Sequence, residues 1–238
     1  MKFFRFNAGL AAILIAVALA LRPLESDSET FGRTALLALT VAEAAIVVYW
    51  VSVGRALASV RPAIVATAVG SGLVAILAEA FAVTAGRGVP FRAMTVASFL
   101  SSAALLGGAC TAMVLGHWYL VIPSMQVSHL QRIVKLHMAS MVVRVAVVAA
   151  AVSLAILTWH PGVGPSFGRY VTSISGIFFW QRVLFGLAGP AVLSYLTWET
   201  AKIRSTQSAT GILYIDFFTV VVGEVLAKYI LLATRVPV

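Results

Sequence analysis

The sequence predicts a polytopic all-α membrane protein, a bundle of about seven transmembrane helices. Of its 238 residues, 61% are hydrophobic and only 11% are charged, and the mean hydropathy is +1.00. The apolar residues fall in runs of about twenty, the length that an α-helix needs to cross a bilayer. A β-barrel would instead show alternating segments of about ten residues. The chain is therefore expected to form a single transmembrane helical domain.

Seven apolar runs define the expected spans. In chain order they cover roughly residues 4–21, 34–53, 62–85, 93–122, 133–159, 174–198 and 209–233. An odd number of spans places the two termini on opposite faces. Lysine and arginine are more numerous in the short loops on the amino-terminal face, which predicts a cytoplasmic amino terminus. We expect a multi-pass protein of a bacterial or archaeal cytoplasmic (inner) membrane, whose net charge of +9 marks topology rather than nucleic-acid binding.

Ionisable residues inside the spans are the main functional signal, because each costs roughly 2.5–3.5 kcal/mol at the bilayer centre unless it is paired or solvated. We expect a proton path or a buried ion network to contain Glu43, Glu79, Arg182, Asp216, Glu224 and Lys228. Arg144 is also inside a span and is assigned to the ligand site described next. Glu224 and Lys228 are one helical turn apart, and Arg182 lies at a comparable depth. Such a network either fixes helix packing or carries protons or a substrate.

A ligand site is expected near the turn between the fourth and fifth spans, Gly116 to Pro123. His117, Trp118 and Tyr119 lie in this segment, and His137 and Arg144 follow on the next span. Together they offer the donors and the protonatable group that a quinone site requires. If both histidines lie at equal depth, they can instead be the axial ligands of a haem b, which is the metal site expected here. Without a ligand, Trp118 and Tyr119 form an interfacial aromatic belt.

Three further features of the sequence bear on this site. Asp216 is expected on the same side of the membrane as the two histidines and can complete their site as a proton acceptor. Pro190 removes the amide that would bond the carbonyl of Gly186, which predicts a kink in the sixth span. The segment 124–135 is predicted to lie on the membrane surface as a short amphipathic helix.

Small residues recur every four positions along the fourth span. They are Ala104, Gly108, Ala112 and Gly116, and they let another helix or a flat cofactor approach the backbone closely. The stripe therefore predicts either close helix packing or one wall of a ligand pocket beside His117.

The bundle resembles the integral membrane anchor subunits of respiratory oxidoreductases. These are the quinone-reactive anchors of the polysulfide-reductase and dimethyl-sulfoxide-reductase type, and the haem b anchors. The resemblance lies in the architecture, a bundle with paired histidines, an arginine and acids grouped toward one face. It implies that the protein is an electron-transport subunit of a respiratory chain. Such a subunit has no catalytic activity by itself, or at most reacts with quinone. Such a subunit binds quinone or haem b, anchors partner redox subunits in the bilayer, and passes electrons between them and a quinone pool.

Other functions stay open at the level of the sequence. A small-solute or proton transporter or channel would use Glu43, Glu79, Arg182 and Glu224 to line its path. A non-catalytic accessory subunit would use the same residues for packing. A retinal protein would need Lys228 as the Schiff-base lysine and Glu224 as its counter-ion.

Overall fold

A computed structural model of the protein describes residues 2–22, 30–54, 57–122, 125–158 and 166–238. Within these ranges the chain is helical and contains no strand. The α-helices in chain order are α1 (Lys2–Ala20), α2 (Thr30–Ser52), α3 (Arg61–Val83), α4 (Val89–Val121), α5 (Ser128–Leu157), α6 (Phe167–Thr172), α7 (Ile177–Val183), α8 (Gly189–Lys202) and α9 (Thr206–Thr234). A 3-10 turn, Ile174–Gly176, precedes α7, and a π-helical turn, Leu184–Ala188, joins α7 to α8.

Seven helical segments in the described part of the chain are long and apolar enough to cross a membrane. Helices α1 to α5 are five of them, the continuous stretch Ile174–Lys202 is the sixth, and α9 is the seventh. They confirm the predicted fold class. Helix α5 begins at Ser128, so most of the segment predicted as a separate surface helix is the start of this span. Pro123 and Ser124 of the predicted turn lie outside the described residues.

The chain divides into two compact units, unit 1 (Met1–Phe99) and unit 2 (Leu100–Val238). In unit 1, α1 packs on α2 and α2 packs on α3. The buried residues of these helices are small, and they include Ala8, Gly9, Ala12, Ala35, Ala38, Ala42, Ala68, Ala75 and Ala78. Large side chains such as Leu37 remain exposed. Small residues between helices and large ones outside are typical of packing in lipid.

Helix α9 is the central helix of unit 2. It packs against α7, the π-helical turn and α8, and α8 also packs against α5. The buried residues of α5 recur every three or four positions and include His137 and Arg144, which places both on one helix face. The buried residues of α9 include Asp216 and Glu224. Each of these two helices therefore turns two ionisable side chains into the interior of unit 2.

The π-helical turn lies at the position where the sequence predicts a kink. It covers Leu184–Ala188 and includes Gly186, and the buried Pro190 stands in the first turn of α8. A π-helical turn inserts an extra residue into the helix and is frequent at functional sites. Here it begins two residues after Arg182, the buried cation of α7.

Candidate functional site

The candidate site consists of two buried ionisable clusters in the interior of unit 2. His137 and Arg144 are seven residues apart on α5, which is about 10 Å along the helix, and Asp216 and Glu224 are eight apart on α9, about 12 Å. All four are at most 3% exposed. His137 meets Asp216, and Arg144 meets Glu224. The two clusters therefore lie at two successive levels along the same pair of helices.

The first cluster, which we call the arginine cluster, is centred on the carboxylate of Glu224. Arg144 donates to it from Nε and from Nη2, both at 2.9 Å. Arg182 donates from Nη2 at 3.0 Å, and the hydroxyl of Ser102 on α4 donates at 2.6 Å. Arg144 also donates from Nη1 to Ser101 at 3.4 Å. Charge-assisted and bidentate hydrogen bonds of this kind are the strongest in proteins, so the cluster fixes three helices to α9.

Two glycines create the space for the guanidinium of Arg182. A Cβ placed on Gly186 would lie 2.6 Å from the Cα of Gly223, so the π-helical turn and α9 touch through their backbones. Nη1 of Arg182 occupies the volume that a Cβ on Gly186 would fill. Among the described residues, Nη1 and Nε of Arg182 have no hydrogen-bond acceptor. The cluster thus holds more donors than its single carboxylate can satisfy.

Lys228 adds a third cation to this region. It lies one turn beyond Glu224 on α9, is half-buried, and is within electrostatic reach of Glu224, Arg144 and Arg182. Arg182 and Glu224, which the sequence places at comparable depth, form an ion pair at 3.0 Å. Arg144 belongs to the same cluster, whereas the sequence predicted that it would serve a quinone or a haem propionate.

The second cluster is the pair His137 and Asp216. Nε2 of His137 lies 2.7 Å from Oδ2 of Asp216, and both side chains are fully buried. This contact has the distance of an ion pair but not the angle of a hydrogen bond. Within the described ranges, Nδ1 of His137 and Oδ1 of Asp216 also lack a hydrogen-bond partner. The pair can hold or release a proton and still has positions for a bound water molecule or a polar ligand.

The predicted equal depth of the two histidines is wrong. A Cβ on Gly108 would lie 3.4 Å from Nδ1 of His137, whereas Gly116, next to His117, faces Thr210. His117 is nine residues beyond Gly108 on α4, so its backbone lies about 13–14 Å farther along the helix. Axial haem ligands must face each other across one iron atom. This spacing does not fit a haem held by His117 and His137.

The other predicted ligand residues are also separated. His117 is exposed, and its Nδ1 lies 2.9 Å from the hydroxyl of Tyr214 on α9. Tyr119 is buried, and its hydroxyl donates to the main-chain oxygen of Gln126, which ties the end of α4 to the segment before α5. Trp118 is half-buried. The structure therefore does not gather the five predicted quinone ligands into one pocket.

Two glycines of the small-residue stripe on α4 pack against helices within unit 2. Gly108 faces His137 and Ser140 on α5, and Gly116 faces Thr210 and Leu213 on α9. The hydroxyl of Thr210 donates to the main-chain oxygen of Gly116 at 2.9 Å. The close helix packing predicted from this stripe is therefore confirmed at Gly108 and Gly116, whereas Ala104 is exposed.

Glu43 and Glu79 lie in unit 1. Glu79 forms an ion pair with Arg22 at 3.5 Å, and about half of its side chain is exposed. Glu43 is half-buried on α2, and no described residue hydrogen-bonds to its Oε2.

Comparisons with protein-family models, with curated proteins and with solved structures find no match to this chain. Its function must therefore be argued from the arrangement of its own residues. What the structure establishes is an all-helical membrane protein with two buried ionisable clusters in unit 2.

Proposed function

We propose that this chain is a transporter that moves a small solute together with protons, or protons alone, through the interior of unit 2. The observation that carries the proposal is the alignment of His137–Asp216 and the arginine cluster at two levels along α5 and α9. Ionisable residues at membrane depth are costly and commonly mark substrate, ion or proton pathways. Two such levels, about 10–12 Å apart, would let a proton or a solute bind at one level and then at the other.

The two clusters suit different steps of transport. The imidazole and the carboxylate of His137 and Asp216 are groups that exchange protons readily in proteins. The guanidinium groups of Arg144 and Arg182 can hold a negative group through paired hydrogen bonds. The unused hydrogen-bonding positions of His137 and Asp216 support a working site, because a purely structural buried pair normally satisfies its polar atoms.

The proposal is tested by reconstituting the purified protein into liposomes that contain a pH-sensitive dye. A pH gradient is imposed, valinomycin with equal potassium on both sides prevents a membrane potential from building up, and the rate of internal pH change is recorded. We expect the protein to collapse the gradient faster than protein-free liposomes do, either alone or when a small solute is added outside. The proposal would be contradicted if the internal pH changed no faster than in protein-free liposomes, both without solute and with each class of solute added outside.

A second function, a quinone-reactive subunit of an electron-transfer complex, is favoured by one observation. His117 and Tyr214 form an exposed hydrogen-bonded pair at one end of unit 2, where a quinone carbonyl in the lipid can reach their donors. In this role the chain would reside in a bacterial or archaeal cytoplasmic membrane and anchor partner redox subunits. The spacing of the histidines makes quinone, rather than a haem ligated by both of them, the cofactor to test.

Replacing Tyr214 by Phe is expected to weaken quinone binding if the second function holds. Loss of one hydrogen bond to a carbonyl should reduce affinity for a soluble ubiquinone or menaquinone analogue about fivefold. Binding is measured by quenching of tryptophan fluorescence in detergent. Tyr195, which is also exposed, provides the matched control, and its replacement by Phe should leave binding unchanged. Equal quinone affinities of the two variants would contradict a quinone site at His117 and Tyr214.

A further inference from the structure

A basic surface lies at the end of unit 2 where α5 begins and α8 ends. Two exposed lysines, Lys135 on α5 and Lys202 on α8, share one aromatic ring. Their Nζ atoms lie 4.8 Å and 5.4 Å from the centre of the Trp198 ring. Because both distances are about 5 Å, the two ammonium groups are no more than about 10 Å apart. The surface therefore presents two neighbouring positive charges to its surroundings.

Gln131 joins the two helix ends. It lies one turn before Lys135, and its Nε2 donates to the main-chain oxygen of Ala201 at 3.2 Å. Ala201 is fully buried and directly precedes Lys202. Side chains in a helix point toward its amino-terminal end, so Lys135 extends outward along α5 and Lys202 extends back along α8. The two lysines therefore converge on Trp198 because of the way the two helices are oriented.

The basic surface carries more positive charge than the acids of unit 2 neutralise. Its four exposed cations are Arg132, Lys135, Lys202 and Arg204. Two of the three acids of unit 2 are buried in the clusters described above, and the third, Glu199, pairs with Lys202 at 2.6 Å. The other three cations form no ion pair with any residue that the structure describes. Their charge favours an anion that comes from outside the chain.

The two ammonium groups lie at the level of lipid headgroups. Helix α5 has 30 residues, about 45 Å, which equals the thickness of a bilayer with both headgroup regions. The hydrocarbon core of about 30 Å then begins about 7 Å along the helix. The Cα of Lys135, about 10 Å along, is close to this boundary, and its long side chain carries the ammonium back to the headgroups. Tryptophan is also enriched at this level.

Apolar side chains continue both helix faces toward the membrane centre. Val142 lies two turns beyond Lys135 on the same face of α5 and is 70% exposed. Tyr195 lies one turn before Trp198 on α8 and is 54% exposed. Acyl chains can cover these residues, whereas a free anion or an acidic protein segment stays in water. Cations at headgroup level above apolar residues at chain level fit a phospholipid.

We propose that Lys135, Lys202 and Trp198 form a binding site for an anionic phospholipid. The phosphate contacts the two ammonium groups, and the acyl chains pack beside Val142 and Tyr195. Each ammonium has three N–H donors, so a lysine above the ring keeps donors for phosphate oxygens. Basic pockets between transmembrane helices are known to bind anionic headgroups. The site lies outside the two buried clusters and does not depend on the proposed transport.

The test measures binding of phosphatidylglycerol to the purified protein in detergent, with phosphatidylcholine as the neutral lipid. The affinity for the first bound lipid is determined by native mass spectrometry. Replacing Lys135 and Lys202 together by Gln should weaken phosphatidylglycerol binding at least about tenfold, because each lysine near a lipid surface contributes several-fold. Binding of phosphatidylcholine should stay unchanged.

Arg169→Gln combined with Arg235→Gln is the matched control. Both arginines are exposed and follow the far ends of α5 and α9, so the protein loses the same charge away from the site. This variant should bind phosphatidylglycerol as wild type does. Equal affinities of the two double variants would overturn the proposal and leave the basic surface to an acidic partner protein. Displacement of the lipid by millimolar sodium phosphate would overturn it in favour of a free-phosphate site.

A second measurement keeps the test decisive if detergent removes the lipid. The protein is placed in phosphatidylcholine liposomes that contain phosphatidylglycerol with brominated acyl chains, which quench nearby tryptophans. The emission of Trp198 is obtained by comparing wild type with Trp198→Phe. Brominated phosphatidylglycerol should quench this emission about twofold more than brominated phosphatidylcholine at the same mole fraction, and the double lysine variant should lose the difference. Equal quenching of Trp198 by the two lipids in the wild-type protein would contradict the site.

Discussion

Replacing Glu224 by Gln is expected to destabilise the protein by about 3–5 kcal/mol, because it leaves two buried guanidinium groups without their counter-charge. Glu224 accepts four hydrogen bonds, two from Arg144 and one each from Arg182 and Ser102. Gln keeps the size of the side chain but presents an amide NH₂ to donors. The loss is measured as a shift in the unfolding midpoint of the purified protein in detergent.

Glu199→Gln is the matched control for this change. Glu199 is partly exposed and pairs with Lys202 at the end of α8, so its replacement should alter stability by less than about 0.5 kcal/mol. Replacing Arg144, Arg182 and Glu224 together by Met should restore much of the stability, because it removes the charges along with their desolvation cost. Equal midpoints for Glu224→Gln and Glu199→Gln would show that the arginine cluster does not stabilise unit 2.

Replacing Gly223 by Ala is expected to cost about 3 kcal/mol, near the upper end of overpacking penalties. A Cβ on Gly223 collides with the backbone of Gly186 and lies 3.2 Å from Nη1 of Arg182. Because the obstacle is backbone, neither rotation of a side chain nor a small shift relieves the contact. We expect the π-helical turn and α9 to separate and the hydrogen bond between Arg182 and Glu224 to weaken.

Gly211→Ala provides the control on the same helix. No atom lies within 4 Å of a Cβ placed on Gly211, so alanine there should be neutral or stabilise α9 by up to about 1 kcal/mol. The two variants are compared by their unfolding midpoints. Similar midpoints for Gly223→Ala and Gly211→Ala would contradict the close crossing of α9 and the π-helical turn.

The spans could be predicted from hydropathy because lipid imposes a minimum length of apolar helix. The contact between Arg182 and Glu224 could be predicted because both residues are buried charges at comparable depth. The orientation of Arg144 could not, because several rotations of α5 satisfy the same apolar pattern. Ser102 and Tyr214 gave no signal, since serine and tyrosine are common in membrane helices.

The depth of His137 could not be predicted, because the apolar pattern places the start of the fifth span near residue 133. Helix α5 begins at Ser128, so His137 lies nine residues inside, about 13 Å, whereas His117 lies four residues from the end of α4, about 6 Å. Polar residues in the first turns of a span hide its true start from a hydropathy criterion. The burial of Val236 and Val238, beyond the end of α9, could not be predicted either, because this short segment has no periodic pattern.

Asp216 gives the most direct test of transport through unit 2. The proton flux of liposomes that contain the Asp216→Asn protein is compared with that of wild type and of Glu199→Gln. Asn is nearly isosteric with Asp but cannot carry the proton, and the carboxylate contacts His137 at the centre of the proposed path. We predict at least about a tenfold loss of flux for Asp216→Asn, which is typical when an essential proton-transfer group is removed, and wild-type flux for Glu199→Gln. Wild-type flux through Asp216→Asn would contradict the account.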